Sequence, residues 1–132
     1  MPIPPLAIPQ WSRRDLGELP ITMINKVLGH DLEPGRLLLD HAGHCHIAER
    51  HPADLDICLE VLGVGRPPHF VGQAPRSDDK LQMVWRLNDP IVMVVFGRHW
   101  TQGFYRVVTS YRISRERLDR ERRERTLVPI LH

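Results

Sequence analysis

The feature that most constrains the fold of this chain is IVMVVF at positions 91–96, a run of six residues without a polar side chain. Most of the run is β-branched, and β-branched residues favour strands. A strand with one face in water alternates apolar and polar residues, whereas an unbroken apolar run is typical of a strand buried on both faces. We therefore expect residues 91–96 to form a central strand of a sheet.

Three further segments have the composition of strands, at residues 69–73, 80–87 and 104–113. In the second segment the apolar residues alternate and so share one face. These residues are Leu81, Met83, Trp85 and Leu87. Together with residues 91–96, the three segments predict an antiparallel meander of four strands.

The first half of the chain is predicted to be mainly helical. Thr22 caps a short apolar run that stops at Gly29, and glycine is a common helix end. RLLL at 36–39 is predicted to be a short buried strand. After Pro52, apolar residues recur at the helical spacing i, i+3, i+4 and i+7. They are Leu55, Cys58, Leu59 and Leu62. We therefore expect an α+β fold, with two or three N-terminal helices packed on a four-stranded antiparallel sheet.

A charged C-terminal helix completes this prediction. Ser114 is expected to cap the segment RERLDRERRER, in which acidic residues precede arginines by four positions. These pairs are Glu116/Arg120, Asp119/Arg123 and Glu121/Arg125. Because the segment has almost no apolar face, we expect a solvated tail or a docking arm. The predicted organisation is a Pro-rich extended arm at 1–20, a single domain at 21–113, and an Arg/Glu-rich helix and tail at 114–132.

The length and amino-acid composition of the chain limit the classes of protein to which it can belong. Its 132 residues are the length of one domain. No apolar run approaches the roughly 20 residues of a membrane span, and the start MPIPPLAIP lacks the basic segment of a signal peptide. Cys45 and Cys58 are expected to be reduced thiols, as in a cytoplasmic protein. Nearly all basic residues are arginine, so the composition permits an anionic partner without requiring one.

The segment HAGHCHIAERHP at 41–52 contains four of the eight histidines. On one continuous helix, His41, His44 and His51 would lie on one stripe and could hold zinc. Against a zinc site, Gly43 weakens the helix, and the segment has no established zinc spacing.

Acid/base catalysis is the second interpretation of this segment. Histidine titrates near neutrality, and Pro52 forces the helix to end near His51, so that the freed ring can turn toward the same cleft as His46. A third interpretation is structural, with ring nitrogens capping the helix or facing water. Spacing alone favours the structural interpretation and leaves the other two open.

The motifs of the chain, taken in order, carry a resemblance to a known family. A short apolar strand is followed by HIAERHP at 46–52, a helix ending in VLGVGRPP at 61–68, and strands that close on FYRVVTSYRIS at 104–114. This order resembles the barnase/EndoU/colicin/RelE-like nuclease superfamily, and more narrowly its phage- and polymorphic-toxin-associated branch. The resemblance covers about residues 36–115.

The resemblance implies a metal-independent ribonuclease without a cofactor, often directed at tRNA or at mRNA on the ribosome. It implies RNA as the partner, together with an antitoxin or immunity protein. The catalytic positions that it implies are His46, His51, Arg50, Thr109 and Tyr111. Substrate binding is expected at Arg106, Arg112 and Ser110, and at Arg98 and His99 in the loop before the last strand. Asp40 departs from the family, which often has Ser or Thr there.

Alternation along 104–113 predicts which of these side chains face the cleft. One face would carry Tyr105, Val107, Thr109, Tyr111 and Ile113. The other would carry Arg106, Val108, Ser110 and Arg112. We expect the face with Thr109 and Tyr111 to be the cleft.

The residue types suit RNA cleavage without a metal ion. That reaction needs a base for the 2′-hydroxyl, an acid for the 5′-oxygen, and a cation for the phosphorane charge. His46 and His51 would be the acid and base, with Arg50 or Arg106 on the phosphate. The alternatives are a non-catalytic protein-binding or inhibitor protein on the same scaffold, and a zinc enzyme built on the histidine cluster.

Overall fold

The computed structural model describes residues 14–63, 67–86, 90–100 and 102–130. Its strands are β1 Arg14–Glu18, β2 Arg36–Leu39, β3 Phe70–Gln73, β4 Lys80–Arg86, β5 Ile91–Gly97, β6 Phe104–Ile113 and β7 Val128–Pro129. Its helices are α1 Ile21–Leu28, α2 His41–Arg50, α3 Leu55–Gly63 and α4 Arg115–Arg123. A 3-10 turn, Pro52–Asp54, joins α2 to α3. The strands form one sheet in the order β1-β2-β6-β5-β4-β3-β7.

Strand β5 is the central strand that the apolar run predicts. It pairs antiparallel with β4 on one side and with β6 on the other, and every residue of 91–96 is buried. Val92 and Val94 belong to the core under α1 and α3, whereas Met93 and Val95 belong to a second core under α4. The prediction of a strand buried on both faces is therefore confirmed.

The predicted fold class is wrong. The sheet has seven strands instead of four, it is mixed because β2 runs parallel to β6, and helices and strands are interleaved along the chain. β1, with the sequence RDLGE, lies in the segment predicted to be an irregular arm. It is an edge strand whose side chains are largely exposed, so it lacks the alternation that would predict it. Residues 1–13 and Leu87 lie outside the described residues.

The local helix signals are largely correct. α1 ends at Leu28, and Gly29 has the left-handed conformation of a C-terminal cap, although no side chain caps its start and Thr22 lies inside the helix. α4 begins after Ser114, whose hydroxyl accepts a hydrogen bond from the Arg117 N–H. None of the described helices is long and apolar enough to cross a membrane.

The C-terminal segment packs on the sheet and is not a solvated tail. Leu118 of α4 is 2% exposed and joins the second core, and the chain continues through the buried Leu127 into β7. The three predicted pairs along the helix are absent from the ion pairs of the described residues. The pair that forms is Arg117–Glu121, at 2.9 Å, because these two side chains face the sheet.

Candidate functional site

Helix α2 lies along an open edge of β6. β2 pairs with residues 104–106, and within the described part of the chain no strand lies beside the rest of that edge. The α2 backbone takes the place of a strand at Gly43, where an added Cβ would lie 2.7 Å from the Val107 carbonyl oxygen. At the far end, the Arg112 N–H donates to the Asp54 carboxylate at 3.2 Å. The close approach at Gly43 thus accounts for a residue that otherwise weakens the helix.

Replacing Gly43 by alanine is expected to destabilise the protein by roughly 1–3 kcal/mol, because the new methyl group would overlap backbone that cannot rotate away. Helix propensity alone predicts the opposite sign, since alanine is better than glycine by about 1 kcal/mol. Urea unfolding measures the difference. The matched control is Ala42→Gly, at an exposed neighbouring position of α2, and a more stable Gly43→Ala protein would contradict the close packing.

The end of α2 is determined by its sequence. Asp40 caps the start through its carboxylate, which accepts from the Gly43 N–H at 2.9 Å. The His51 N–H donates to the Ile47 carbonyl at 2.8 Å, and the helix then stops before Pro52. The prediction that the helix ends near His51, before the proline, is confirmed.

A β-bulge in β6 changes which side chains share a face. Val95 pairs with Thr109 but Phe96 pairs with Val107, so that Val108 is an extra residue between them. Beyond the bulge the alternation is inverted relative to Tyr105. Ser110 therefore faces α3, where its hydroxyl contacts the Cys58 thiol, whose pKa burial raises to about 11.

The predicted division into two faces is therefore wrong for 104–113 as a whole. Tyr105 and Val107 belong to the first core, whereas Ile113 belongs to the second, with Tyr111 packed against it. The prediction that Thr109 and Tyr111 share a face holds, because both lie beyond the bulge.

The rings of His51 and Tyr111 stack beside the edge of β6. Their centroids are 4.6 Å apart and their planes are inclined by 26°. The Tyr111 hydroxyl accepts a hydrogen bond from Arg117 of α4 at 3.0 Å, and the guanidinium carbon lies 5.3 Å from the ring centroid. An imidazole, a phenol and a guanidinium group, from the end of α2, from β6 and from α4, thus form one cluster, which we call the His51 cluster.

A buried carboxylate holds Arg117 in place. Glu121 is 4% exposed, and its oxygens accept from Arg117 Nε and Gln82 Nε2, both at 2.9 Å. Gln82 also donates to the Thr126 carbonyl at 3.0 Å. Burial acts to lower the pKa of Arg117, but its hydrogen bonds to Tyr111 and Glu121 outweigh burial and raise that pKa. Arg117 is therefore a fixed cation.

The His51 cluster adjoins a groove between α4 and the β3–β4 connection through Tyr111 and Arg117, and His51 itself is not among the lining residues. The groove has a volume of about 730 Å³, and Tyr111 and Arg117 are part of its wall. Its other cations are Arg76, Lys80 and Arg120. Of its two carboxylates, Glu121 is paired with Arg117, so only Glu124 offsets these three cations. The groove therefore favours an anionic ligand.

Other sequence-predicted residues lie near α2 but outside this cluster. His46 is half-buried, and no hydrogen bond, ion pair or ring stack among the described residues joins it to His51 or to Thr109. Arg50 is exposed in the last turn of α2. The hydroxyl of Thr109 is buried and has no hydrogen-bond partner among the described residues.

The other residues predicted to bind substrate either interact with groups of the protein itself or lie in an exposed loop. Arg106 lies 3.6 Å from Asp40, and Arg112 forms an ion pair with Asp54 at 2.7 Å. Ser110 is buried and donates to the Met93 carbonyl. Arg98 and His99 are exposed in the loop after β5.

Sequence reasoning missed Arg117, Glu121 and Gln82. Arg117 and Glu121 are four residues apart on α4, and Leu118 between them is the one apolar residue of the helix. The positions of Arg117 and Glu121 beside Leu118 could have predicted that this side of α4 faces the protein. Gln82 stands alone as a polar residue in an otherwise apolar strand interior, where a buried amide requires partners.

The first turn of α2 carries the other two histidines of the segment 41–52, His41 and His44. The Cys45 sulfur lies 3.5 Å from His41 Nε2. Within the described ranges, no three His, Cys, Asp or Glu side chains are placed to hold a metal ion. His44 is 4% exposed, and neither ring nitrogen has a hydrogen-bond partner among the described residues. Burial, with the nearby charges of Arg14 and His41, lowers the pKa of His44 below its usual 6.5.

Replacing His44 by leucine is expected to stabilise the protein by about 1–2 kcal/mol, because it removes buried polar atoms that have no partners. The folded wild type resists protonation of His44, whereas the unfolded chain accepts the proton. The contribution of neutral His44 to the free energy of unfolding is therefore fully present above pH 6.5. It is lost as the pH falls through the lowered pKa of His44 in the folded protein. Urea titrations between pH 7.5 and 5 should show a smaller loss for His44→Leu. His99→Leu, at an exposed histidine, is the control, and equal pH dependence of both variants would refute the effect.

Comparisons with protein families, with curated proteins and with solved structures found no match for this chain.

Proposed function

We propose that this domain is a metal-independent endoribonuclease whose site is the His51 cluster and the adjoining groove. The observation that supports the proposal is the contact of His51 with Tyr111, which itself accepts a hydrogen bond from Arg117. His51 therefore contacts Tyr111, and Tyr111 and the fixed cation Arg117 are part of the wall of a groove that favours anions. These are the parts that phosphodiester cleavage requires.

The proposed reaction is an internal transfer at phosphorus. The 2′-oxygen of the substrate forms a bond to phosphorus while the bond from phosphorus to the 5′-oxygen breaks. A base accepts the 2′-hydroxyl proton and an acid donates a proton to the leaving oxygen. The products are a 2′,3′-cyclic phosphate and a 5′-hydroxyl end, so no water, oxidant or cofactor is consumed.

His51 is proposed as one of the two proton-transfer groups, because its ring is held against Tyr111 and histidine is the commonest general acid or base. Arg117 is proposed to stabilise the negative charge that develops on the phosphorane oxygens. Tyr111 would orient His51 and offers an aromatic surface for a base. His46 is proposed as the second proton-transfer group on the basis of the sequence motif.

Several residues have no role in this proposal. The Ser110 hydroxyl is committed to the Met93 carbonyl, and Arg112 is committed to Asp54. Both side chains lie on the face of the sheet that packs against α3, whereas Tyr111 lies on the face that packs against α4. A cytoplasmic location, association with a phage or toxin system, and an antitoxin or immunity protein as partner belong to the same proposal.

The test is incubation of the purified protein with total RNA in the presence of EDTA. We expect cleavage, with 2′,3′-cyclic phosphate and 5′-hydroxyl ends identified by end-specific enzymatic labelling. Cleavage products with 3′-hydroxyl ends would indicate a different chemistry. RNA that stays intact at high protein concentration would contradict the proposal and favour a non-catalytic binding protein.

A further inference from the structure

A second group of cations lies on the side of α4 that faces away from the groove beside the His51 cluster. Arg86 of β4 and Arg122 of α4 both pack over the Phe70 ring, with guanidinium carbons 5.7 and 4.9 Å from its centroid. Arg123 and Arg125 follow along the chain, and all four arginines are exposed. No ion pair in the described ranges engages any of them. We call Arg86, Arg122, Arg123 and Arg125 the arginine surface.

The arginine surface borders a cavity of about 560 Å³ between α4 and β7. Three of its four arginines line this cavity, namely Arg122, Arg123 and Arg125, and Asp119 is the one carboxylate among the lining residues. The floor is the apolar edge of β7. The excess of guanidinium groups leaves the cavity with a net positive charge.

The helix dipole accounts for only part of this cluster. Cations are favoured in the last turn of a helix, and Arg122 and Arg123 occupy that turn. Arg125 lies beyond the helix with a left-handed backbone, at φ 60°, and Arg86 comes from a different element. The convergence of residues from two elements on one surface is therefore not explained by helix stability alone.

The chemistry of the arginine surface fits a nucleic acid. A guanidinium group binds a phosphate through two parallel hydrogen bonds, which an ammonium group cannot do. The Arg122 guanidinium lies over the Phe70 ring, and a guanidinium plane can also stack on an unpaired base. An acidic protein segment would use the charge but not the planar faces.

The position of α4 connects the two cationic regions. Arg117 and Arg120 line the groove beside the His51 cluster, whereas Arg122 and Arg123 line the cavity on the other flank of the same helix. A strand bound in the groove can therefore cross α4 and reach the arginine surface. We propose that the arginine surface binds the phosphate backbone of the RNA outside the cleavage site. The RNA identity rests on the proposed function, whereas the binding site rests on the arginines themselves.

The experiment measures binding without cleavage. A fluorescent single-stranded oligonucleotide of 2′-O-methyl RNA lacks the attacking hydroxyl, so its affinity can be measured by anisotropy whether or not the protein is a nuclease. The variant is Arg123→Gln combined with Arg125→Gln, which removes two charges from exposed positions. The control is Lys26→Glu, which changes the net charge by the same amount on α1, over the opposite face of the sheet.

For the double variant, we expect the slope of log affinity against log salt to become shallower by about 1.4, since each single-strand phosphate contact contributes about 0.7. With equal affinities at 1 M salt, this slope change corresponds to binding about 25-fold weaker at 0.1 M salt. Lys26→Glu should leave the slope unchanged. Equal effects of the two variants, an unchanged slope in the double variant, or binding only to anionic vesicles or acidic peptides would overturn the proposal. These affinity measurements remain interpretable even if the protein does not cleave RNA, because the 2′-O-methyl oligonucleotide cannot be cleaved by this reaction.

Discussion

Replacing His51 by alanine is expected to lower the rate of RNA cleavage by about 10²–10⁴-fold, the usual contribution of a proton-transfer group. The variant should remain folded, because the stack on Tyr111 contributes only about 0.5–1.5 kcal/mol beyond its buried area. The measurement is kcat/KM on a defined RNA substrate in EDTA, with circular dichroism to verify the fold.

Two further variants separate proton transfer from support of Tyr111. His51→Phe keeps an aromatic ring against Tyr111 but cannot exchange a proton, so it should be as inactive as His51→Ala. His30→Ala is the matched histidine control, because its ring contacts Gln73 outside the His51 cluster. Activity retained in His51→Phe would show that the ring has only a positioning role.

His46→Ala in the same assay tests the second proton-transfer group. A loss comparable to that of His51→Ala supports the pair of histidines, although no hydrogen bond or ring stack joins them among the described residues. Full activity of His46→Ala would restrict the proposal to His51 and require another partner.

Replacing Glu121 by alanine is expected to be the most destabilising single change at the site. Removal of one member of a buried ion pair costs about 3–5 kcal/mol, because the other charge is left without compensation. Arg117 keeps about one third of its side chain exposed, so we expect the lower end, about 3 kcal/mol. The Gln82 amide would also lose an acceptor. Thermal unfolding should show a midpoint lower by roughly 10 °C.

Glu124→Ala is the control for the loss of a carboxylate from the same helix end. Glu124 is exposed and lines the same groove, but it has no ion-pair partner among the described residues. A surface change of this kind is expected to alter the free energy of unfolding by at most about 0.5 kcal/mol. Equal stability of Glu121→Ala and Glu124→Ala would show that the buried network does not stabilise the fold.

Much of the secondary structure could be predicted from short-range patterns. The unbroken run at 91–96 identified the central strand, because only a position covered on both faces tolerates six adjacent apolar residues. Gly29, Ser114 and Pro52 marked helix ends through properties of the single residue. Two edge elements were missed, since an exposed strand such as β1 has no apolar pattern.

The candidate site was predicted only in part. His51 and Tyr111 could be named from the sequence, but their contact depends on the bulge at Val108, which inverts the faces of the last strand. An extra residue in a strand is defined by its pairing partner, so alternation within one strand cannot reveal it. Arg117 was assigned to a solvated helix because α4 has a single apolar residue, and the carboxylate that orders it is buried.

Local sequence is enough to locate the ends of α1 and α2, at Gly29 and His51, and to identify the central strand. These features depend on the conformational preferences of neighbouring residues and on local burial. Tertiary structure alone decided that α2 lies against the open edge of β6, that β2 runs parallel to that strand, and that Glu121 directs Arg117 onto Tyr111. These arrangements join residues far apart in the chain. Their free energy depends on which surfaces meet, and no single segment encodes that.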